Sequence, residues 1–142
     1  MILTGSCLCQ TVRYEIEGEA TRFYHCHCQR CRKTTGTGHA TNIMLKTDKI
    51  TWLSGEEQLI NYKVPEAERF ASCFCQQCGS PMPRLAPSMG VAVIPAGSLD
   101  NEPNTQPSAH IFWGSRSSWS CSAGDIPTYD EYSPDVTDIP KR

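Results

Sequence analysis

Residues 73–81 read CFCQQCGSP, and their spacing Cys-x-Cys-x-x-Cys occurs a second time at 26–31 as CHCQRC. A Cys-x-x-Cys turn presents two sulfurs to one ion, and the glycine that follows it, Gly79, can adopt the positive φ that such a turn often needs. Together with Cys7 and Cys9 these segments hold eight of the nine cysteines, and Cys121 stands apart. Thiolate-rich sites select zinc, copper(I) or iron–sulfur, and no haem or iron–sulfur spacing is present. The sequence therefore predicts at least one bound zinc ion.

The cysteine count argues against a disulfide framework. Nine is odd, so a complete set of intramolecular disulfides would leave one thiol over. The first ten residues, MILTGSCLCQ, lack the basic segment and the apolar run of a secretory signal, so we expect a cytoplasmic protein. In a reducing compartment closely spaced cysteines bind metal or do chemistry more often than they form disulfides.

Length and charge restrict the class of protein. The chain has 142 residues, which predicts one domain, and we expect it to span 1–124, followed over 125–142 by an extended tail rich in Pro and Asp. The 13 Lys and Arg do not exceed the 15 Asp and Glu, as they would in a general nucleic-acid binder. The best apolar run, 91–94, is far shorter than a membrane span. We expect neither nucleic acid nor a membrane as a partner, and the oligomeric state stays open.

Short apolar segments predict a mostly β domain. Within 11–17, the side chains of Val12, Tyr14 and Ile16 fall on one face of a strand. Further strands are predicted at Phe23, 43–45, 50–53, 59–62, 91–94 and 110–113. Ten Gly and ten Pro separate these segments, and no long apolar period of 3.6 is present, so helices should be few and short. We expect small sheets that are not stable on their strands alone.

The distribution of the thiolates between the metal ions decides whether the ions are only structural or whether one could be catalytic. Eight thiolates in two four-cysteine sites would enclose two structural ions. A split into four and three would leave one ion with an open position for water, a thiol or a carbonyl oxygen. The spacing does not choose between the two, because Cys73 can serve as the eighth thiolate.

The middle cluster lies in a basic stretch. No Asp or Glu occurs between Ala20 and Thr47, whereas five cations do: Arg22, Arg30, Arg32, Lys33 and Lys46. These cations could offset the negative charge of a zinc–thiolate centre, steer an anionic substrate, or form a solvated face unrelated to any ligand. His25 and His27 flank Cys26 in the same stretch.

The order of the motifs resembles one known family. The segments GSCLC at 5–9, YHCHCQRCRKTTG at 24–36 and FCQQCGSP at 74–81 are similar to those of the glutathione-dependent formaldehyde-activating enzymes, a family that also includes centromere protein V. The segment that starts with HIFW at 110–113, contains Trp119 and ends at Pro127 is similar to the C-terminal part of that family. The resemblance covers most of the chain.

The resemblance implies a fold and a ligand set. The fold is a compact β domain shared with methionine sulfoxide reductase B and with a zinc-binding chaperone of Rab GTPases. A structural zinc is assigned to Cys7, Cys9, Cys75 and Cys78, and a catalytic zinc to Cys26, Cys28 and Cys31. The structural ion would join segments 66 residues apart and clamp the sheets together. Cys73 and Cys121 have no counterpart in the family motif, and we expect both to be small buried apolar residues.

The leading functional hypothesis is a zinc-dependent carbon–sulfur lyase that resembles S-(hydroxymethyl)glutathione synthase. Its partners would be formaldehyde and a small thiol such as glutathione. Zinc would either bind the thiol as its thiolate or polarise the oxygen of the aldehyde. Arg30, Arg32 or Lys33 could pair with the glutathione carboxylates. His25 or His27 could transfer protons, although a His beside a cysteine ligand is more often exposed or supports the ligand indirectly.

Two rival hypotheses belong to other classes. The first is a non-catalytic binding module stabilised by zinc, in which four thiolates enclose each ion. The second is a peptide methionine sulfoxide reductase, which needs a nucleophilic cysteine separate from the metal. Cys121 is the candidate, but its segment SWSCS at 118–122 contains no His or acid to activate it.

Overall fold

The computed structural model describes residues 1–120 and 126–135. This part of the chain forms ten strands, one α-helix and four single turns of 3-10 helix, which confirms the predicted mostly β domain with few short helices. The strands are β1 (Ile2–Ser6), β2 (Arg13–Glu17), β3 (Glu19–Cys26), β4 (Ala40–Lys46), β5 (Thr51–Ser54), β6 (Leu59–Lys63), β7 (Ala71–Cys75), β8 (Arg84–Ala86), β9 (Val91–Pro95) and β10 (Ala109–Ile111), and the helix α1 (Gln29–Thr35) follows β3. The 3-10 turns are Glu56–Gln58, Pro87–Met89, Ala96–Ser98 and Trp113–Ser115. None of the described helices has the length and hydropathy needed to cross a bilayer.

The strands form three sheets. The first is antiparallel with the order β1-β2-β5, and the largest has the order β10-β3-β4-β9-β8. In the largest sheet β10 lies parallel to β3 at one edge, while the other neighbours are antiparallel. The third sheet pairs β6 with β7, the strand that carries Cys73 and Cys75. All three sheets are small, as the sequence predicted.

One core connects the sheets. Tyr14 and Ile16 of β2 alternate with exposed residues and pack with Ile43 and Leu45 of β4 in a single buried cluster. The Tyr14 hydroxyl lies 2.7 Å from Ser98 Oγ, which itself donates to the Pro95 carbonyl, so the buried phenol keeps a hydrogen-bond partner.

The predicted strands fall on β2, β3, β4, β5, β6, β9 and β10, and the other three strands, β1, β7 and β8, were not predicted. In β1 only Leu3 and Gly5 are buried. A Cβ at Gly5 would overlap the Tyr14 hydroxyl, so glycine is required where an apolar residue would have marked the strand. The strand predicted at 110–113 ends at Ile111, because Phe112 has φ 53 and starts the 3-10 turn that contains Trp113.

The C-terminal part is described for residues 126–135, which contain no strand or helix and are mostly exposed. The predicted domain boundary between 124 and 125, and the expectation that Cys121 is buried, fall outside the described residues.

Candidate metal centres

Four cysteines from two distant segments meet at one point. The Sγ atoms of Cys7, Cys9, Cys75 and Cys78 all lie within 4.8 Å of one another. Cys7 Sγ and Cys9 Sγ are 3.5 Å apart, and Cys9 Sγ is 4.0 Å from Cys75 Sγ across 66 residues of sequence. We call this group the four-cysteine cluster. It joins the loop after β1 to the turn after β7.

The turn after β7 has the form expected from its sequence. Gly79 has φ 75 and donates its N–H to the Cys75 carbonyl at 2.7 Å, and the Cys75 N–H donates to the Ser80 carbonyl at 3.0 Å. The predicted positive φ of Gly79 is therefore confirmed. Hydrogen bonds with the side chain and the backbone of Ser80 lower the pKa of Cys78 to about 5. Burial raises the pKa of Cys7 to about 11. The cluster thus combines one cysteine that favours the thiolate with one that favours the thiol.

A second group contains three cysteines around the start of α1. Cys26 ends β3, Cys28 caps the helix and Cys31 lies in its first turn, with the three Sγ atoms within 4.8 Å of one another. The Cys31 N–H lies 3.3 Å from Cys28 Sγ. We call this group the three-cysteine cluster. Among the described residues no further His, Cys, Asp or Glu joins it, and Cys73 belongs to neither cluster.

The environment of the three-cysteine cluster favours one thiolate over the others. Burial raises the pKa of Cys26 and of Cys31. The pKa of Cys28 is lowered even though burial opposes it, because hydrogen bonds from the backbone of Cys31 and contacts with the neighbouring thiols stabilise its thiolate.

Both clusters fit zinc by donor chemistry and by spacing. A tetrahedral ion with Zn–S distances of about 2.3 Å places its sulfurs about 3.8 Å apart. The sulfur separations of 3.5 and 4.0 Å in the four-cysteine cluster bracket that value, and the 4.8 Å limit holds in both clusters. Sulfur donors without carboxylates favour zinc over magnesium or calcium. Both clusters can therefore hold a metal ion.

A cavity of about 880 Å³ touches both clusters, through Cys31 at one and Cys7 at the other. His39, Thr41, Cys73 and Arg84 also line it. Its size lies within the range of pockets that bind small molecules. A ligand in this cavity can reach Cys31 without any opening of the fold.

Four histidines form one group of neighbouring rings, in which His25 and His27 flank Cys26 in the sequence, and they are all the histidines of the chain. His27 is 1% exposed, and its Nε2 lies 2.8 Å from His110 Nδ1. His25 Nδ1 lies 2.8 Å from Thr41 Oγ1, which is 3.1 Å from His39 Nδ1. Burial is the main cause that lowers the pKa of His25, His27 and His39, and their mutual repulsion adds to it. The lowered pKa favours the neutral form of these three imidazoles at neutral pH.

The cations proposed from sequence do not reach the cavity beside Cys31. Arg30 and Lys33 line a second cavity of about 770 Å³ that none of the seven clustered cysteines lines. Arg32 donates to the Ser117 hydroxyl. The cation that does line the first cavity is Arg84 of β8.

Sequence reasoning missed three residues of this region. His39, His110 and Arg84 come from separate segments and belong to no spaced motif. The pairing of β10 with β3 places His110 opposite His25, and this partner is visible only in the topology. For His39 and His110 the residue type was the signal that could have been used, because all four histidines lie together in the structure.

Known proteins include relatives of this chain in sequence and in fold. The family model of the "Glutathione-dependent formaldehyde-activating enzyme" matches residues 2–115. A Halomonas elongata protein named "Putative glutathione-dependent formaldehyde-activating enzyme" is 29% identical over 127 residues, which cover 84% of this chain and 80% of that protein. A crystal structure of a Rhodobacter sphaeroides protein has the same fold, with a TM-score of 0.59 and 19% identity over 78% of this chain and 99% of that chain. The chain belongs to the glutathione-dependent formaldehyde-activating enzyme family.

Proposed function

We propose that this protein is a zinc-dependent carbon–sulfur lyase that interconverts a small thiol, formaldehyde and their S-hydroxymethyl adduct, with glutathione as the thiol. One observation carries the proposal. The three-cysteine cluster borders a cavity of ligand size through Cys31, and no fourth metal-binding side chain among the described residues completes it. A site with three protein donors keeps a position for a substrate.

The two clusters have different proposed roles. Cys7, Cys9, Cys75 and Cys78 hold a structural zinc, and Cys26, Cys28 and Cys31 hold a catalytic zinc. When bound at the second site, zinc supplies a positive charge that lowers the pKa of a thiol or polarises a carbonyl. The protein binds the thiol in the cavity, limits its contact with water and handles its proton.

The reaction is balanced by one proton transfer. In the forward direction a sulfur–carbon bond forms between the thiol and formaldehyde, the carbonyl π bond breaks, and the thiol proton ends on the new hydroxyl oxygen. In the reverse direction the sulfur–carbon bond breaks and the hydroxyl proton returns to sulfur. No oxidant or reductant is needed.

His39 is placed to accept the thiol proton. It lines the cavity together with Cys31, and its lowered pKa keeps the ring neutral at neutral pH. Its Nδ1 contacts Thr41, and Thr41 contacts His25, so a hydroxyl that also lines the cavity links the two imidazoles. His27 is buried and does not line the cavity, which favours His39 over His27 for this role.

The proposed location is the cytoplasm. None of the eight cysteines of the described residues forms a disulfide, and closely spaced cysteines without disulfides are typical of a reducing compartment. The cytoplasm also supplies small thiols such as glutathione at high concentration.

Exchange spectroscopy tests the activity directly. Formaldehyde and glutathione combine without a catalyst, so the quantity to measure is the rate of exchange between formaldehyde hydrate and S-(hydroxymethyl)glutathione by NMR. We expect the zinc-loaded protein at catalytic concentration to accelerate this exchange at least about tenfold, which corresponds to about 1.4 kcal/mol of the barrier. An exchange rate equal to that without protein, with both zinc ions present, would reject the lyase and favour a non-catalytic binding module.

His39→Gln tests the proton acceptor. We expect the acceleration to fall by at least about tenfold, because positioned general bases contribute about 10²- to 10⁴-fold. The matched control is His110→Gln, since His110 is in the same histidine group but does not line the cavity. Both variants should keep two zinc ions per chain by elemental analysis. Equal losses in the two variants would mean that His39 has no specific role.

A further inference from the structure

A single cation lines the cavity beside the three-cysteine cluster, among the described lysines and arginines. We infer that Arg84 binds a carboxylate of the thiol substrate, so that the cavity selects acidic thiols over neutral thiols of the same size. This inference rests on the proposed function and deepens it by naming the substrate class and the residue that recognises it.

The backbone around Arg84 holds its position. Arg84 begins β8, which pairs with β9, and it lies opposite Val93, which lines the same cavity. The side chain is half-buried, between the buried Pro83 and the exposed Leu85. The pairing of the strand fixes the backbone position from which the Arg84 side chain extends. The planar guanidinium group can form two parallel hydrogen bonds with a carboxylate.

The guanidinium of Arg84 has neither an ion pair with a carboxylate nor a hydrogen bond among the described residues, and the groups that act on its charge are the nearby thiols of Cys73 and Cys31. No carboxylate there forms an ion pair with it, and no described side chain or carbonyl accepts a hydrogen bond from it. Burial lowers the pKa of Arg84, which means that the protein holds this cation at a cost in solvation. An anionic ligand would offset that cost.

The carboxylate that lines the cavity, unlike Arg84, has a hydrogen-bond partner. Asp100 also lines the cavity, but the Ser6 hydroxyl donates to it at 2.9 Å, near the loop of the four-cysteine cluster. The cavity therefore offers one cation, which lies close enough to Cys31 for their charges to interact, and one hydrogen-bonded carboxylate beside Ser6. An acidic thiol with its sulfur toward Cys31 would meet the cation.

Two thiols of nearly equal size test the inference. These are 3-mercaptopropionate, which has a carboxylate, and 3-mercapto-1-propanol, which has a hydroxyl in its place. We expect the zinc-loaded wild-type protein to bind the acid at least about tenfold more tightly by calorimetry, since a charge-assisted pair is worth about this much. In Arg84→Gln this preference should disappear while the binding of the alcohol is unchanged. Arg30→Gln, in the second cavity, is the matched control and should keep the preference.

The outcomes separate this inference from the proposed function. Equal binding of the two thiols by the wild type, or a full preference in Arg84→Gln, overturns the role of Arg84 and leaves the lyase proposal standing. Binding of neither thiol overturns both. Zinc content is measured for each variant, because a loss of zinc in Arg84→Gln would show that Arg84 serves the metal centre instead, which also overturns the inference.

A measurement on the wild type does not depend on the folding of a variant. The Nε–H resonance of Arg84 should shift in ¹⁵N NMR spectra when 3-mercaptopropionate is added and stay in place when 3-mercapto-1-propanol is added. A resonance that does not respond to the acid, under conditions where calorimetry shows binding, contradicts a carboxylate contact at Arg84.

Discussion

Replacing Cys75 by serine is expected to remove the structural zinc and with it the stable fold. Cys75 is 0% exposed and Cys7 is 2% exposed, so two ligands of the four-cysteine cluster are fixed in the core, while Cys9 is exposed and Cys78 is half-buried. Structural zinc sites contribute about 10 to 16 kcal/mol of binding energy at neutral pH, whereas a whole domain is stable by only about 5 to 15 kcal/mol. We expect Cys75→Ser to lower the free energy of unfolding by more than about 5 kcal/mol, so that most of the protein is unfolded or insoluble.

Cys73→Ser is the matched control for this variant. Cys73 lies two residues away on the same strand and is also buried, but it belongs to neither cluster. Its replacement should cost about 1 to 2 kcal/mol, as is usual for a polar group placed in a core, and should leave two zinc ions per chain. Circular dichroism melting and elemental analysis give the two readouts. If Cys75→Ser melts close to Cys73→Ser with its full zinc content, this cluster does not hold the sheets together.

The sequence allowed the cysteine clusters to be found because metal ligation is encoded locally. Two sulfurs of each Cys-x-x-Cys turn are adjacent in space whatever the rest of the chain does, and Gly79 marks the positive φ of its turn. The assignment of Cys7 and Cys9 to the same group as Cys75 depends on tertiary structure. It came from the family resemblance, and the sulfur distances agree with it.

The rest of the site could not be found from the sequence, because its residues are far apart along the chain and only the strand topology brings them together. The parallel pairing of β10 with β3 sets His110 beside His25, although 85 residues separate them. Arg84 lies in a three-residue strand that follows two prolines, a segment with no strand pattern. The local run of cations at 30–33 suggested a carboxylate site, but Arg30 and Lys33 line the second cavity, because charge density along a chain does not show on which face of a helix a side chain lies.

Replacing Cys31 by serine should separate the catalytic ion from the fold. Cys31 borders the cavity and lies in the first turn of α1, while Cys28 and its contact with the backbone of α1 stay in place. Loss of one of three thiolates leaves two donors, too few to retain zinc, so we expect about one zinc ion per chain instead of two. We expect the exchange between formaldehyde and S-(hydroxymethyl)glutathione to return to the rate without protein. The melting temperature should fall by much less than in Cys75→Ser, because only one short helix and the end of one strand depend on this ion.

The same Cys73→Ser protein controls for a thiol lost from the cavity wall, because Cys73 and Cys31 both line it. It should keep both zinc ions and most of the acceleration. Three results for Cys31→Ser would argue against an open catalytic site in the wild-type protein, and each contradicts a different part of the proposal. Two retained zinc ions would mean that Cys31 is not a ligand, and full acceleration with one zinc would place the chemistry elsewhere. Global unfolding would mean that the second ion is also a scaffold, because an ion that serves only substrate chemistry can be removed while the β core of Tyr14 and Ile43 remains packed.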